Sequence, residues 1–237
     1  MAPAPEARHR AAAAPRPRRR GVRRQGRQRR RVSVIQRPAP PIVLASASTA
    51  RRTVLLAAGL RFTTEAAAVD EAAIKESARA EGLSAAEAAT LLAEAKAARV
   101  ARRAAGDALV IGADQILVCA GRWFDKPVDR AAAREQLLAL RGETHELATA
   151  LVCWRGGERV WGHVETPRLT MRGFSDAFLD AYLEAEGDAV LSSVGAYRLE
   201  GLGAHLFAAV RGEHAAVLGL PLLPLLGFLR GHGVLLE

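Results

Sequence analysis

The stretch that decides the fold is ALVIGADQ, residues 108–115. Its apolar, partly β-branched first half has the length and composition of a buried strand, and the run stops on the carboxylate of Asp114. We interpret residues 109–112 as a strand that ends at an acid. Because open α/β sheets bind ligands outside the carboxyl ends of their strands, Asp114 is placed to hold a metal ion or to take a proton from water. The alternative is an acid that begins an ordinary turn.

Apolar segments alternate with helical patterns along the chain, which predicts an α/β fold with a mixed sheet. Strands are predicted at residues 42–45, 61–65, 109–112 with a continuation at 116–119, 146–154, 158–164 and 206–210. Helices are predicted at residues 51–58, 84–103, 129–140, 175–184 and 221–230. The helix at 84–103 begins with the capping-box pattern of Ser84 and Glu87, and the glycines between the strands at 146–154 and 158–164 predict a hairpin. Residues 195–197 resemble the start of a strand, in which Tyr197 packs into the core.

The net charge of +9 is unevenly distributed along the chain. Residues 1–41 carry thirteen arginines and one acidic residue, whereas the other 196 residues carry 21 basic and 24 acidic side chains. Residues 1–41 are rich in Arg, Ala and Pro and show no apolar periodicity, so we predict a disordered extension followed by a folded domain at 42–237.

Three interpretations of this extension remain open. It is an arm for nucleic acid or another anionic surface, an organelle transit peptide, or a non-native stretch that results from a start codon assigned too far upstream. We favour the third, because the strand at 42–45 opens a domain that needs nothing before it.

Cysteine content and hydropathy indicate a cytoplasmic protein. Cys119 and Cys153 each end an apolar run, where a free thiol packs as a small apolar group in a reducing compartment. Their number and spacing indicate neither a disulfide framework nor a zinc site. The longest apolar stretch, residues 217–229, is too short for a membrane span and contains two prolines, so no membrane association is expected.

A hydroxyl-rich turn follows the first predicted strand and leads into a helix at residues 44–52. Helix N-termini offer free amides and positive potential to anions. Ser46 and Ser48 add hydrogen-bond donors, and Arg51 adds a planar cation suited to phosphate. In the competing interpretation Ser48 caps the helix and both Arg51 and Arg52 are solvated.

Lysine is rare in this chain, which has 31 arginines and three lysines. Where either cation would serve, this composition uses arginine, so a retained lysine indicates a need for a compact ammonium. Lys96, in the long helix, and Lys126, after the turn that follows the Asp114 strand, are therefore candidate phosphate ligands. Chance retention on a solvated face is the alternative.

Nine short motifs, in order along residues 42 to about 226, resemble the Maf family of nucleotide pyrophosphatases. They are LASAS at 44–48 with Arg51, Asp70-Glu71, Lys96-Ala97, GADQ at 112–115, Lys126-Pro127, GETH at 142–145, GAY at 195–197, EGLG at 200–203 and GLP at 219–221. The resemblance implies an elongated α/β fold, similar to that of inosine triphosphatases, in which a twisted mixed sheet flanked by helices surrounds a central cleft. It also implies a homodimer and a metal-dependent hydrolysis of nucleoside triphosphates to monophosphate and pyrophosphate.

The resemblance assigns roles to individual residues. Asp114 matches the proton acceptor of the family, and Arg51, Glu71, Lys96 and Lys126 match its other charged cleft positions. A carboxylate pair, Glu71 with Asp114, would hold Mg²⁺ or Mn²⁺ and orient water, while the three cations neutralise the triphosphate.

Departures from the common motif bear on the choice of base. Gln115 together with Glu200 resembles the branch associated with 7-methyl-GTP, in which a carboxylate accepts hydrogen bonds from the guanine edge and an amide adds a selective contact. Arg51 belongs to the same specificity set. Ala50 stands where that branch often has an aromatic residue and cannot stack on a base, which keeps a broader specificity open.

The sequence therefore predicts a cytoplasmic pyrophosphatase that removes modified nucleotides before polymerases use them. Its substrate is a nucleoside triphosphate, and nucleic acid is a partner only if the Arg-rich extension is genuine. A non-catalytic division regulator or a nucleic-acid-binding protein that uses this extension is the competing class.

Overall fold

The computed structural model describes Met1 and residues 35–237, so most of the predicted extension lies outside the described residues. The described residues form eight strands: β1 (Ile42–Leu44), β2 (Thr63–Thr64), β3 (Leu109–Cys119), β4 (Arg122–Phe124), β5 (Thr144–Arg155), β6 (Glu158–Glu165), β7 (Arg168–Met171) and β8 (Phe207–Arg211). They also form seven α-helices: α1 (Thr49–Ala57), α2 (Glu71–Ala80), α3 (Ala85–Ala101), α4 (Arg130–Leu140), α5 (Asp176–Glu186), α6 (His214–Val217) and α7 (Leu222–Gly231). Within residues 35–237, no helix combines the length and the apolar character that crossing a membrane requires.

All eight strands belong to one mixed sheet, which confirms the predicted fold class. Its main path is β2-β1-β3-β5-β7-β8, with β4 added to β3 and β6 added to β5. β1 runs parallel to β2 and to β3, and the remaining pairs are antiparallel. The parallel part therefore lies at the β2 edge, and a meander of antiparallel strands builds the rest.

The prediction that the strand at 109–112 ends at Asp114 is wrong. β3 continues unbroken to Cys119, and Asp114 lies in its middle, opposite Ala150 of β5. An opening exists there for another reason: on the other edge of β3, β1 pairs with residues 109–111 and β4 pairs with residues 117–119. Residues 112–116 thus have no strand on that edge, and the strand whose carboxyl end meets the opening is β1.

Two apolar cores on one face of the sheet flank this opening. The first core packs α1 and α7 on Ile111 and Leu151, and the second packs α4 and α5 on Leu117 and Leu147. Because side chains alternate along a strand, the residues between the cores on this face include Gln115 of β3 and its cross-strand partner Thr149 of β5. The polar break in both strands therefore coincides with the gap between the two cores.

Helix α3 covers the opposite face of β3 at close range. A Cβ atom on Gly112 would overlap the carbonyl oxygen of Ala93 and would lie 2.8 Å from the Cβ of Ala97. The missing side chain at Gly112 thus lets the helix approach the strand. That approach brings Lys96 of α3 beside Asp114 of β3.

Most predicted elements are confirmed with shifted ends. The Ser84 capping box is present, and the hairpin of β5 and β6 turns at Gly156-Gly157. β2 is shorter than predicted. The helix α2 was not predicted, because it buries only the small side chain of Ala78. The elements β4, β7 and α6 were not predicted because each is too short for a hydrophobic periodicity to be recognised. Residues 195–197 do not start a strand: Gly195, at φ +77°, turns the backbone within a 3₁₀ segment at Val194–Ala196.

The segment just before β1 is part of the folded structure. The Gln36 backbone forms a bridge with Leu235, and the Arg37 amide donates to the carbonyl of Val234 at 2.9 Å. The Gln36 side chain bonds both the amide and the carbonyl of Arg61. Sequence reasoning placed residues 35–41 in the extension, because hydrogen bonds to a distant C-terminal segment leave no local pattern.

Candidate active site

A buried ion cluster forms where α3 meets the middle of β3. The Lys96 ammonium lies 2.7 Å from Asp114 Oδ1 and 2.7 Å from Glu71 Oε1, at the start of α2. Asp114 is 6% exposed and Lys96 is 8% exposed, whereas Glu71 is open to solvent on one side. Lys96 therefore holds together two carboxylates that would otherwise repel each other.

The two carboxylates keep unused capacity to accept hydrogen bonds. Asp114 Oδ2 is buried and has no partner among the described residues. Burial acts to raise the pKa of Glu71, but its hydrogen bond to Lys96 and the charges of Lys96, Lys75 and Lys126 outweigh that effect, so its pKa lies below the ordinary value. Glu71 is thus charged at neutral pH, as a carboxylate ligand for a cation must be.

Arg51 is fixed inside the cleft rather than solvated. Its Nε donates to the carbonyl of Gly219 at 2.8 Å, and Nη1 donates to Ser46 Oγ at 3.3 Å. Burial lowers the pKa of its guanidinium, while the charges of Asp114 and Glu71 act in the opposite direction. Gly219 has φ +89°, and a Cβ there would lie 3.2 Å from Arg51 Nε, so glycine suits the position on both counts.

The two serines serve the turn before α1. Ser48 is the N-cap of this helix, and its Oγ accepts the amide of Arg51 at 3.4 Å. Ser46 Oγ accepts the amide of Ser48 at 3.2 Å. The capping interpretation therefore holds for Ser48 and for exposed Arg52, but fails for buried Arg51. Both hydroxyl groups retain a proton that they can donate to a ligand.

Lysines also line the outer part of the cleft. Lys126 is exposed and makes no hydrogen bond or ion pair within residues 35–237. Lys75 of α2 bonds Asp125, which precedes Lys126. This ion pair links α2 to the loop after β4, and both of its residues also line the cleft.

Gln115 uses its amide hydrogens within the protein. Its Nε2 lies within hydrogen-bonding distance of Thr149 Oγ1 at 2.8 Å and of the carbonyls of Ala216 and Val217 at 3.0 and 3.2 Å. Because both carbonyls are acceptors, the amide nitrogen must face them. Only Oε1 of Gln115 remains to meet a ligand, as an acceptor.

Glu200 lies on a segment held in place by a buried carboxylate. Glu186, at the end of α5, accepts from the guanidinium of Arg198 at 2.9 and 3.2 Å and from the amide of Leu202 at 3.2 Å. Gly203 lies so close that a Cβ would overlap the carbonyl oxygen of Arg198. These contacts fold residues 198–203 into a compact arch that presents exposed Glu200 to the cleft.

Tyr197 is a structural residue beside the cleft, as predicted. It is 5% exposed, and its hydroxyl lies 2.8 Å from His145 Nε2. Burial lowers the pKa of His145 to about 4, so this imidazole is neutral at physiological pH. The two side chains pack in the second core, and His145 contributes no charge to the cleft.

One cleft of about 550 Å³ collects all nine sequence-predicted site residues. They are Ser46, Ser48, Arg51, Glu71, Lys96, Asp114, Gln115, Lys126 and Glu200. Sequence reasoning missed Lys75, Asp125 and Arg198, which also line the cleft, and Glu186, which supports it. The rarity of lysine was a signal for Lys75 as much as for the other two, whereas Asp125, Arg198 and Glu186 carry no local signal.

The donor set fits a weakly held hard cation. No group of three or more His, Cys, Asp or Glu side chains suited to a metal occurs within the described part of the chain. Mg²⁺ is commonly held by one or two carboxylates together with substrate phosphates and water. Glu71 and Asp114, with its unpartnered oxygen, supply such a pair.

Fold and site together define an α/β protein whose cleft is built for an anionic ligand, with two carboxylates placed to meet a cation. The chain belongs to the Maf-like protein family, whose profile matches residues 41–232.

Related proteins match more than four-fifths of the chain. A protein from Granulibacter bethesdensis named "Nucleoside triphosphate pyrophosphatase" is 56% identical over 194 residues, which are 82% of this chain and 98% of that protein. One with the same name from Paramagnetospirillum magneticum is 57% identical, with 81% and 99% covered. A "7-methyl-GTP pyrophosphatase" from Rhizobium meliloti is 47% identical, with 83% and 98% covered. The predicted family is confirmed, and the predicted enzyme class agrees with these names.

Proposed function

We propose that this protein hydrolyses nucleoside triphosphates to the monophosphate and pyrophosphate with the help of Mg²⁺ or Mn²⁺. The observation that carries the proposal is the pairing, in one cleft, of two carboxylates with cations from α1, α2, α3, the loop after β4 and residues 198–203. The cleft volume of about 550 Å³ is typical of pockets for ligands of nucleotide size. The names of the relatives support the same reaction.

Glu71 and Asp114 are the residues that would hold the metal ion. When bound, the ion supplies positive charge at the phosphates and lowers the pKa of a coordinated water molecule. Both carboxylates line the cleft, and one oxygen of Asp114 has no hydrogen-bond partner within residues 35–237.

The protein's own groups account for the rest of the reaction. Water attacks the α-phosphorus, the bond from that phosphorus to the bridging oxygen breaks, and pyrophosphate leaves with the bond electrons. The carboxylate of Asp114 accepts the proton of the attacking water. Arg51 and the N-terminus of α1 bind phosphate oxygens, and Lys96 and Lys126 neutralise the charge that develops on the leaving group.

Modified purine nucleotides such as 7-methyl-GTP are the substrates that we favour. Glu200 provides a carboxylate for the donor groups of a guanine edge, and Gln115 Oε1 adds an acceptor. The Rhizobium meliloti relative carries that substrate in its name. The second candidate is a broad nucleoside triphosphate specificity, which is supported by Ala50: it lines the cleft and offers no ring for stacking.

The cellular setting follows from the same proposal. Hydrolysis would remove modified nucleotides before polymerases use them. The two free thiols, Cys119 and Cys153, support a reducing compartment such as the cytoplasm. The homodimer stays a prediction.

The test measures pyrophosphate release with Mg²⁺ or Mn²⁺ from the standard nucleoside triphosphates and from 7-methyl-GTP. Asp114→Asn is expected to reduce kcat by about 10²-fold or more, because its amide cannot accept the proton. Asp188→Asn, at a side chain that is 82% exposed, is the matched control and should retain full activity. Equal background release from wild type and Asp114→Asn would contradict the proposal and favour a non-catalytic role. The ranking of substrates by kcat/KM decides between the two specificities.

A further inference from the structure

Lys96 occupies the space between the two carboxylates that are proposed to hold the metal ion. Its ammonium lies 2.7 Å from one oxygen of each, and these two contacts are its only hydrogen bonds or ion pairs within residues 35–237. No backbone carbonyl or hydroxyl group fixes it in addition. Glu71 and Asp114 therefore supply all the polar contacts that hold the Lys96 ammonium within residues 35–237.

We propose that Lys96 is a resident counter-cation: it holds Glu71 and Asp114 together in the metal-free protein and is displaced when a divalent metal ion binds. The inference deepens the proposed function, since it rests on metal use by the same carboxylates. It gives Lys96 two successive partners, first the carboxylates and then the phosphates of the substrate.

The charges of the cluster require one cation at a time. Two buried or half-buried carboxylates need a compensating charge in the absence of metal, and Lys96 supplies it. A divalent ion bound by both carboxylates would lie close to the ammonium, and repulsion between charges of +2 and +1 is strong at the low effective dielectric of a buried site. Arg51 adds a further positive charge near both carboxylates. The metal ion and Lys96 therefore compete for the same pair of carboxylates.

The side chains around the cluster differ in their freedom to move. Arg51 is tied to Gly219 and Ser46, so it cannot leave its place without losing both bonds. Lys96 is a compact charge on a flexible four-carbon stem, and its ammonium has no polar contact other than these ion pairs within residues 35–237. Once released, it can turn within the same cleft toward the anionic ligand that arrives with the metal ion.

The first test measures Mn²⁺ binding to the full-length protein by calorimetry, without nucleotide. Lys96→Met removes the competing charge and keeps the length of the side chain, so the Kd for Mn²⁺ should fall by about tenfold or more relative to wild type. Lys126→Met removes the same charge from an exposed position in the same cleft and should change the Kd by less than about threefold. Equal effects of the two variants, or weaker Mn²⁺ binding by Lys96→Met, would overturn the proposal.

A second measurement uses wild type and does not depend on how the variant folds. The chain has three lysines, so ¹⁵N-lysine labelling gives at most three ammonium signals, which Lys75→Arg and Lys126→Arg assign. Without metal, the Lys96 signal should show slow exchange with water because the ammonium is buried and bonded on two sides. Mg²⁺ should release Lys96 and broaden its signal through fast exchange.

A Lys96 signal that stays sharp and protected under saturating Mg²⁺ would contradict displacement, even if pyrophosphate is released normally. Conversely, loss of pyrophosphate release with intact displacement would contradict the proposed reaction alone. The two hypotheses therefore fail separately.

Discussion

At the scale of single residues, the two buried cations of the cleft, Arg51 and Lys96, are held in place in different ways. Arg51 is built into the wall by two directed hydrogen bonds, whereas Lys96 is held only by opposite charge. A planar guanidinium suits the first task and a mobile ammonium suits the second. If Lys96 is displaced by a metal ion as proposed, this difference accounts for a lysine at position 96 in a chain so rich in arginine.

The conservative substitution Arg51→Lys is expected to be harmful, because an ammonium cannot reach Gly219, Ser46 and a phosphate in the same geometry. We expect kcat/KM for a nucleoside triphosphate to fall by about 10²-fold and the free energy of unfolding to fall by about 2 kcal/mol. Pyrophosphate release and urea unfolding measure the two effects. Arg52→Lys, at the exposed neighbouring position, is the control; a similar loss in that variant would show that α1 is merely sensitive to sequence.

His145 makes stability depend on pH in a defined window. Burial lowers the pKa of His145 from its ordinary value of 6.5 to about 4. Between these two pH values, the imidazole is protonated in the unfolded chain and neutral in the folded protein. The stabilisation is complete above pH 6.5 and is lost as the pH falls toward 4. Between about pH 7.5 and about pH 5, this residue should cost about 2 kcal/mol of stability.

Urea unfolding of wild type and His145→Gln at both pH values tests this expectation. The glutamine keeps a partner for the Tyr197 hydroxyl but cannot bind a proton, so the variant should lose less stability on acidification. His163→Gln, at a partly exposed position, should behave like wild type. The same pH dependence in wild type and His145→Gln would assign the acid sensitivity to other groups.

The sequence predicted nine residues of the cleft, but not which residues they contact. Serines in a turn before a helix, a rare lysine and an acid in an apolar run all carry local signals, and these residues do meet in one cleft. The pairing of Lys96 with both carboxylates, and the use of the Gln115 amide by α6, depend on contacts between distant segments. The role of Glu186 could not be predicted for the same reason, since its hydrogen-bond partners lie 12 and 16 positions away in an irregular segment.

At the scale of elements, the approach of α3 to β3 sets the geometry of the ion cluster. Gly112→Ala would drive a methyl group into the Ala93 carbonyl and against Ala97. We expect a loss of about 3 kcal/mol in unfolding free energy and a marked fall in kcat, because a displaced helix separates Lys96 from Asp114.

The matched control for this change is Gly162→Ala in β6, where the nearest atoms to a Cβ lie 3.8 Å away. Thermal unfolding and pyrophosphate release of both variants are the measurements. If Gly162→Ala were as destabilised as Gly112→Ala, general strand sensitivity rather than the helix contact would explain the loss.

The elements themselves were largely predictable, because capping residues, turn glycines and long apolar runs act locally. That β3 passes through Asp114 without a break was not predictable. Its residues alone suggest a stop at Asp114, and only the early end of β1 and the short pairing of β4 explain how a polar residue sits in the middle of an unbroken strand.

At the scale of the whole molecule, the ends of the described domain meet. Residues 35–37 bond residues 234–236, so the last turn of the chain depends on the segment before β1. The boundary predicted at residue 41 cuts through this contact.

Two truncations follow from it. A chain that lacks residues 2–34 should release pyrophosphate at the wild-type rate, since every residue of the cleft lies downstream. Removing residues 2–41 should in addition lower the melting temperature by several degrees, because the bonds to Val234, Leu235 and Arg61 are lost. Loss of activity in the shorter truncation would favour the arm hypothesis for the extension.

β3 and β5 run from the first core to the second as hydrogen-bonded strands of eleven and twelve residues. The two cores cannot move apart unless β3 and β5 both bend. The width of the cleft is therefore set by the sheet, and we expect any selection among bases to depend on fit to a preformed opening rather than on a hinge.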